Sequence, residues 1–299
     1  MTETATFEKM LAQIETGKGF IAALDQSGGS TPKALSGYGI EQDAYSGDEE
    51  MFALIHSMRS RIVTSPCFNG EKVIGAILFE RTMDGEAGGK AVPELLWERG
   101  VVPFLKVDKG LEDEANGVQL MKPISGLGDL LERAKALGIF GTKMRSVINS
   151  ASSSGIKAIV EQQFAVAGEI LDHGLIPIIE PEVSIKSETR SECDAILRDE
   201  LLAALNALPQ GRRVMLKLTL PAEAGLFADL VKHPAVIRVV ALSGGFSRAD
   251  ACTELAKNEG VIASFSRALL NDLKHQMSDE EFDASLGSAI DEIHGASIT

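Results

Sequence analysis

Cysteine is scarce in this chain of 299 residues: Cys67, Cys193 and Cys252 are the only three. An odd, widely spaced set builds neither a disulfide framework nor a thiolate metal site, so the simplest reading is three buried small apolar residues. Histidine is nearly as rare. His56, His173, His233, His275 and His294 stand singly, without HxH or HExxH spacing, and no metal centre is expected from them. Long apolar runs are missing too: the longest, VIGAILF at 73–79, falls far short of the roughly 18–20 residues that span a bilayer. The N-terminal stretch MTETATFEKMLAQIETG is acidic and helix-like and lacks a signal-peptide pattern, so a cytoplasmic location is expected. Positive charge is also in deficit. Against 43 Asp and Glu there are 29 Lys and Arg, and the resulting charge of −14 repels nucleic acid and anionic membrane surfaces. Salt screens that field beyond about 10 Å, so a small anionic ligand held by a local cluster of cations fits the composition.

What the chain does have is a 44% hydrophobic content, enough for a substantial core. Eight runs read as strands: 20–25, 73–79, 101–106, 139–144, 175–180, 214–219, 237–243 and 261–266. Most are continuously apolar rather than alternating, the mark of parallel strands covered on both faces. Helical patterns lie between them, with Met51, Leu54, Ile55, Met58 and Ile62 on one stripe and Ile156, Ile159, Val160, Phe164, Ala167 and Leu171 on another. The acidic DEE at 48–50 suits a helix N-terminus, where it complements the dipole. Ser278 and Glu281 form a capping box ahead of Phe282, Leu286, Ile290 and Ile293, which predicts a final helix packed on the rest. Eight strand–helix units without a Pro/Gly/Ser-rich linker predict an α/β protein, a single (β/α)8 TIM barrel over 1–299 with N- and C-terminal helical extensions. An open doubly wound sheet is the competitor, but FIAALDQSGGSTP lacks the glycine spacing of its first turn.

The strand-like runs end in polar residues: Asp25, Lys106, Asp108, Lys143, Arg145, Glu180, Glu182, Lys217, Ser243 and Arg267. In such a barrel these ends form the active-site rim. Each residue taken singly also reads as an ion pair closing the rim; six strand ends agreeing is a stronger signal. Lys217 in VMLKLT carries the most information, because an apolar strand does not gain from a buried ammonium unless something uses it. The predicted chemistry is attack of the Lys217 amine on a ketone or aldehyde, forming a Schiff base that serves as electron sink for carbon–carbon cleavage. The cations Lys106, Lys143 and Arg145 favour the neutral, attacking amine. Glu180 is placed to donate and accept protons at the nitrogen and hydroxyl, and Asp25 to take the proton of the hydroxyl that becomes a carbonyl.

Two small-residue loops follow the last two strands, SGGFS at 243–247 and SFSRAL at 264–269. Backbone N–H groups of Gly244, Gly245 and the helix start near Ser266 suit a phosphate, with Arg267 supplying charge. Ser27, Ser30 and Lys106 offer a second anion site across the mouth. Two phosphate sites imply a bisphosphate.

These motifs resemble the class I, Schiff-base fructose-bisphosphate aldolases over most of the chain. The likeness is carried by AALDQSGGS (22–30), GAILFERTMD (75–84), FLKVDKG (104–110), PIIEPE (177–182), LSGGFS (242–247) and SFSRAL (264–269), in the family's order. The resemblance implies Lys217 as the Schiff-base lysine, Glu180 as acid and base, and Asp25 and Lys143 as catalytic partners. It further implies Ser243, Gly244 and Arg267 at one phosphate, Ser27, Ser30 and Lys106 at the other, and Arg145 supporting the charge of the site. No cofactor and no metal are implied. The expected reaction is reversible cleavage of fructose 1,6-bisphosphate to dihydroxyacetone phosphate and glyceraldehyde 3-phosphate, in glycolysis and gluconeogenesis. The compact length resembles the shorter bacterial branch. Longer relatives such as the animal enzymes end in a Tyr that assists proton transfer, whereas no Tyr follows Tyr45 here. Ala34 stands where those relatives have an Arg, and Ser266 where they have a Gly. A stereoisomeric substrate such as tagatose 1,6-bisphosphate, or a catalytically silent sugar-phosphate binder, would use the same residues. Monomer and homo-oligomer both fit the helical periodicities.

Overall fold

Each apolar run becomes a strand in the computed structural model, which describes residues 3–298. The strands are β1 (Phe20–Leu24), β2 (Val73–Leu78), β3 (Val102–Lys106), β4 (Gly141–Ile148), β5 (Ile176–Val183), β6 (Val214–Thr219), β7 (Val236–Leu242) and β8 (Val261–Ala263). They pair in parallel in chain order. The ring is nearly closed: the Ala23 N–H of β1 donates to the Phe265 carbonyl just past β8, at 3.0 Å. With helices between successive strands, this is a (β/α)8 barrel.

The helices are α1 (Glu3–Thr16), α2 (Ser30–Gly37), α3 (Gly47–Thr64), α4 (Glu80–Met83), α5 (Val92–Glu98), α6 (Leu127–Ala136), α7 (Ser153–Asp172), α8 (Arg190–Ala207), α9 (Ala228–Val231), α10 (Arg248–Leu255), α11 (Arg267–Leu270) and α12 (Asp279–Ser297). Asp48, Glu49 and Glu50 occupy the first turn of α3 as read from the sequence. The Ser278–Glu281 capping box opens α12, and Phe282, Leu286, Ile290 and Ile293 are buried along its inner face. No helix among the described residues is long and apolar enough to cross a membrane.

Two layers of core follow from the period-two geometry of the strands. One lies between strands and helices; the other fills the barrel with Ile21, Ala23, Val102, Phe104, Ile176, Ile178, Met215, Val240 and Ile262. Burying such a side chain contributes about 1.5–3 kcal/mol. The barrel floor is plugged by α1, whose Met10 and Ile14 join the inner core with Phe7 and Leu11 beside them. Arg238 fixes that plug by donating to the carbonyls of Ile14, Glu15 and Gly17 at 3.0, 2.7 and 3.2 Å, satisfying the orphan acceptors of the helix end.

Several details depart from the sequence reading. β4 and β5 run on to Ile148 and Val183, and β4 gains an antiparallel partner, Val118–Gln119, in the loop after β3. β8 stops at Ala263, short of the predicted run, with the Ser264 N–H donating to the Ala241 carbonyl of β7 at 2.7 Å in continuation of that ladder. On α7, Gln163 and Ile170 are buried while Phe164 and Leu171 are only half-buried. Cys193 and Cys252 are buried, but Cys67 is half-exposed, its Sγ 3.1 Å from Ser65 Oγ.

Candidate active site at the C-terminal rim

The parity that packs the barrel also builds the site. Ile21 and Ala23 point inward, so the next inward position is Asp25; Val102 and Phe104 lead to Lys106, Ile176 and Ile178 to Glu180 and Glu182, and Met215 to Lys217. Ile262 leads in the same way to Ser264 and Ser266. The register places Lys143 beside Lys106 on one side and Ile178 on the other, with Arg145 opposite Glu180. Apolar residues thus fill the barrel below, and polar ones converge where its packing ends.

They line a cavity of about 570 Å³. Every residue singled out from the sequence as catalytic or ligand-binding borders it except Gly245, which sits just behind Gly244. At its base Lys217 is 4% exposed, and its Nζ lies 3.1 Å from Glu180 Oε1. The other Glu180 oxygen is 3.0 Å from Lys143 Nζ, which also contacts Asp25 Oδ2 at 2.7 Å and Asp108 Oδ2 at 3.9 Å. Nearer the rim, Lys106 Nζ pairs with Asp108 Oδ1 at 2.7 Å and Arg145 Nε with Glu182 Oε2 at 2.5 Å.

These contacts set the charge states. Burial alone would push the Asp25 carboxyl up, but the Lys143 and Lys217 charges outweigh it and hold Asp25 well below the usual carboxylate range. For Lys143, burial favours the neutral amine, and Asp25, Glu180 and Asp108 overcome it, so its ammonium is held more firmly than in water. Burial likewise works against the Arg145 charge, and Glu182 more than restores it. In total the cavity is lined by six cations and four carboxylates, a local positive excess in a chain of charge −14. Four of the cations have carboxylate partners. Lys33 and Arg267 make no ion pair with a carboxylate among the described residues.

Arg267 begins α11, next to the turn after β7. There Gly244 and Gly245 have φ of 59° and 113°, conformations that L side chains rarely adopt. A methyl at Gly244 would also come within 2.8 Å of Ile185 Cγ2, and one at Gly245 would stand 3.5 Å from Arg267 Nη2. Glycine therefore lets this loop bring backbone to the cavity edge with the guanidinium alongside. Ser27 and Ser30 are partly committed already: the Ser27 N–H donates to Ser30 Oγ, and that hydroxyl donates to the Ser27 carbonyl. Lys106 is committed to Asp108, so the cation on this side without a carboxylate partner among the described residues is Lys33, which the strand-end pattern passes over because it lies within α2.

Two buried polar residues outside the cavity were also missed. Gln163 on α7 is fully buried; its Oε1 accepts the Glu180 N–H at 2.8 Å and its Nε2 donates to Ser146 Oγ at 3.0 Å. The β5–β6 ladder extends only through Ile179, so a helix side chain takes the Glu180 amide where the ladder ends. Arg59 on α3, 1% exposed, donates to Thr82 and to Gln26 behind the cavity wall. Helical periodicity alone flags neither, since a polar residue on a helix reads as solvated until its partner is known.

A (β/α)8 barrel whose polar residues, a buried lysine–glutamate pair among them, converge on a cavity at its C-terminal mouth is built as enzymes of this fold are. The particular family follows from the sequence match: a family model described as fructose-bisphosphate aldolase class-I covers residues 5–223, well over half of the chain. The chain belongs to the class-I fructose-bisphosphate aldolase family. Ser243, Gly244, Gly245, Ser266 and Arg267 lie beyond the matched residues. Among solved structures, fructose-bisphosphate aldolase from Plasmodium falciparum, in a complex with TRAP and a small-molecule inhibitor, superposes with a TM-score of 0.79 at 20% identity. The alignment covers 98% of this chain and 95% of that one. Cgl0159 from Corynebacterium glutamicum superposes with a TM-score of 0.56 at 13% identity, covering 97% and 92%. At these identities the likeness is one of fold.

Proposed function

We propose that this chain, acting as one barrel domain over residues 1–299, reversibly cleaves fructose 1,6-bisphosphate through a Schiff base on Lys217. The observation that carries the reading is Lys217 Nζ, buried and 3.1 Å from Glu180 Oε1, at the base of a cavity whose two cations without a carboxylate partner among the described residues are Lys33 and Arg267. Lys217 sheds protons to the Glu180 carboxylate as its nitrogen adds to the C2 ketone, and Glu180 hands them on to the carbinolamine oxygen, which leaves as water and gives an iminium. Asp25, ionised at neutral pH, accepts the C4 hydroxyl proton. The C3–C4 bonding electrons then flow into the iminium, releasing glyceraldehyde 3-phosphate and leaving an enamine. Protonation at C3 and hydrolysis release dihydroxyacetone phosphate and free lysine. The Lys143 ammonium, 2.7 Å from Asp25, stabilises the negative charge that develops at the C4 oxygen. Ser243, Gly244, Gly245, Ser266 and Arg267 bind one phosphate; Ser27, Ser30 and Lys33, with Lys106 behind them, face the other. Arg145 adds to the field that holds both. A small anionic sugar suits the local positive excess better than any polyanion, and a role in cytoplasmic glycolysis and gluconeogenesis follows from the reaction.

The test is borohydride reduction with dihydroxyacetone phosphate, followed by peptide mapping. Label on Lys217 alone, in wild type and not in Lys217→Met, is the expected result, with cleavage unchanged by a chelator. Turnover of the bisphosphate without label on Lys217 would reject the mechanism. Comparing turnover of fructose and tagatose 1,6-bisphosphate tests the substrate.

A further inference from the structure

Arg59 is the largest fully buried side chain among the described residues, and its polar partners are all neutral. One nitrogen, Nη2, donates to the Gln26 carbonyl at 2.5 Å and reaches Gln26 Oε1 at 3.2 Å; the other, Nη1, donates to Thr82 Oγ1 at 2.8 Å. The Phe79 ring lies 5.9 Å from the guanidinium carbon. A buried guanidinium with no carboxylate against it is costly to keep. Burial pushes its pKa down to about 10, with the Asp25 charge partly offsetting this, so it remains a cation at neutral pH.

What it holds is a bridge between two loops. Gln26 follows Asp25 directly, and its Nε2 donates to Ser266 Oγ at 2.6 Å and to the Ala23 carbonyl at 3.2 Å. Ser266 precedes Arg267. The chain Arg59–Gln26–Ser266 therefore ties helix α3 to the loop after β1 and to the loop after β8, at the seam where β1 and β8 share the bond from Ala23 to Phe265. A strand ladder that thin leaves the spacing of the two loops to side chains. We propose that Arg59 is a positioning residue: it orients Gln26, and through it Ser266, so that the loop bearing Asp25 and the loop bearing Arg267 face one ligand at fixed separation. The inference deepens the proposed function and rests on it for the identity of that ligand. The planar fork matters as well as the charge, because it serves Gln26 and Thr82 together, which a lysine ammonium does less well.

The experiment is a double-mutant cycle in the full chain with Arg59→Met, Ser266→Ala and the pair. KM and kcat for fructose 1,6-bisphosphate are measured, together with amide hydrogen exchange across 264–270 without substrate. Each single variant is expected to raise KM about tenfold with a smaller change in kcat, and the pair to lose no more than the worse single. Exchange across 264–270 should quicken in Arg59→Met. Losses that multiply in the pair, or exchange that stays at the wild-type rate, would overturn the proposal. If Arg59→Met does not fold, Arg59→Lys enters the same cycle with the same criteria. If the wild-type protein does not cleave the bisphosphate, the functional reading fails, while the exchange arm still decides whether Arg59 holds the loop.

Discussion

Removing the Lys143 ammonium by Lys143→Met should destabilise the fold in a way that depends on pH. Lys143 is 3% exposed and stands 2.7 Å from Asp25 and 3.0 Å from Glu180. At an effective dielectric of about 20, each contact supplies roughly 5–6 kcal/mol of attraction, largely offset by desolvation of the charges. Truncating one partner of such a buried set leaves the others uncompensated and costs about 3–5 kcal/mol, which for a protein of this size lowers Tm by roughly 5–8 °C. In the wild type the folded Asp25 pKa lies below its unfolded value of about 3.9, so its contribution is full above that value and is lost as pH falls through the lower, folded one. Lys143 is shifted upward, so its contribution is full below about 10.4 and fades only in strong alkali. Wild-type stability from this cluster is therefore flat around neutrality. In Lys143→Met the largest cation beside Asp25 is gone and burial acts with less opposition, so carboxyl protonation shifts toward neutral pH and relieves the strain. Thermal unfolding followed by circular dichroism at about pH 7.5 and about pH 5 tests this, with the deficit expected to shrink at the lower pH. A Tm within about 2 °C of wild type, or a deficit that does not change with pH, would refute the electrostatic reasoning.

Lys217→Met should reduce bisphosphate cleavage by at least about 1000-fold while the protein still folds, read by steady-state rates alongside a thermal scan. Lys33→Ala is expected to raise KM for the bisphosphate about fivefold with kcat nearly unchanged, and the difference should narrow at high salt because an exposed cation is screened. A KM that does not change with Lys33→Ala would remove it from the phosphate side of the site. Gln163→Leu leaves the buried Glu180 N–H without its acceptor and should cost about 1–3 kcal/mol in urea unfolding, with a lower kcat as Glu180 loses its fixed position.

The eight strands were legible because both faces of each are covered, by helices outside and by the barrel interior, so the sequence writes them as apolar runs closed by polar residues. The rim was legible for the same reason. With a period of two, a strand whose inner positions read Ile176, Ile178 can turn polar only at Glu180 and Glu182, where packing ends. The supporting residues follow another rule. Gln163 meets Glu180 across 17 positions and Arg59 meets Gln26 across 33, and each bond joins a side chain to the backbone of another element. A backbone amide or carbonyl is offered by nearly every residue, so the backbone partner leaves no mark in the sequence and the side-chain partner looks like an ordinary polar residue on a helix. The pairing at the base of the cavity differs because both partners are ionisable and rare on apolar strands. Lys217 and Glu180 announce each other by type, whereas the bonds that hold Glu180 in place are specified by topology. Residues that line the cavity can therefore be read ahead of the fold, and the ones that hold them in place only after the barrel has brought α3 and α7 against the strands.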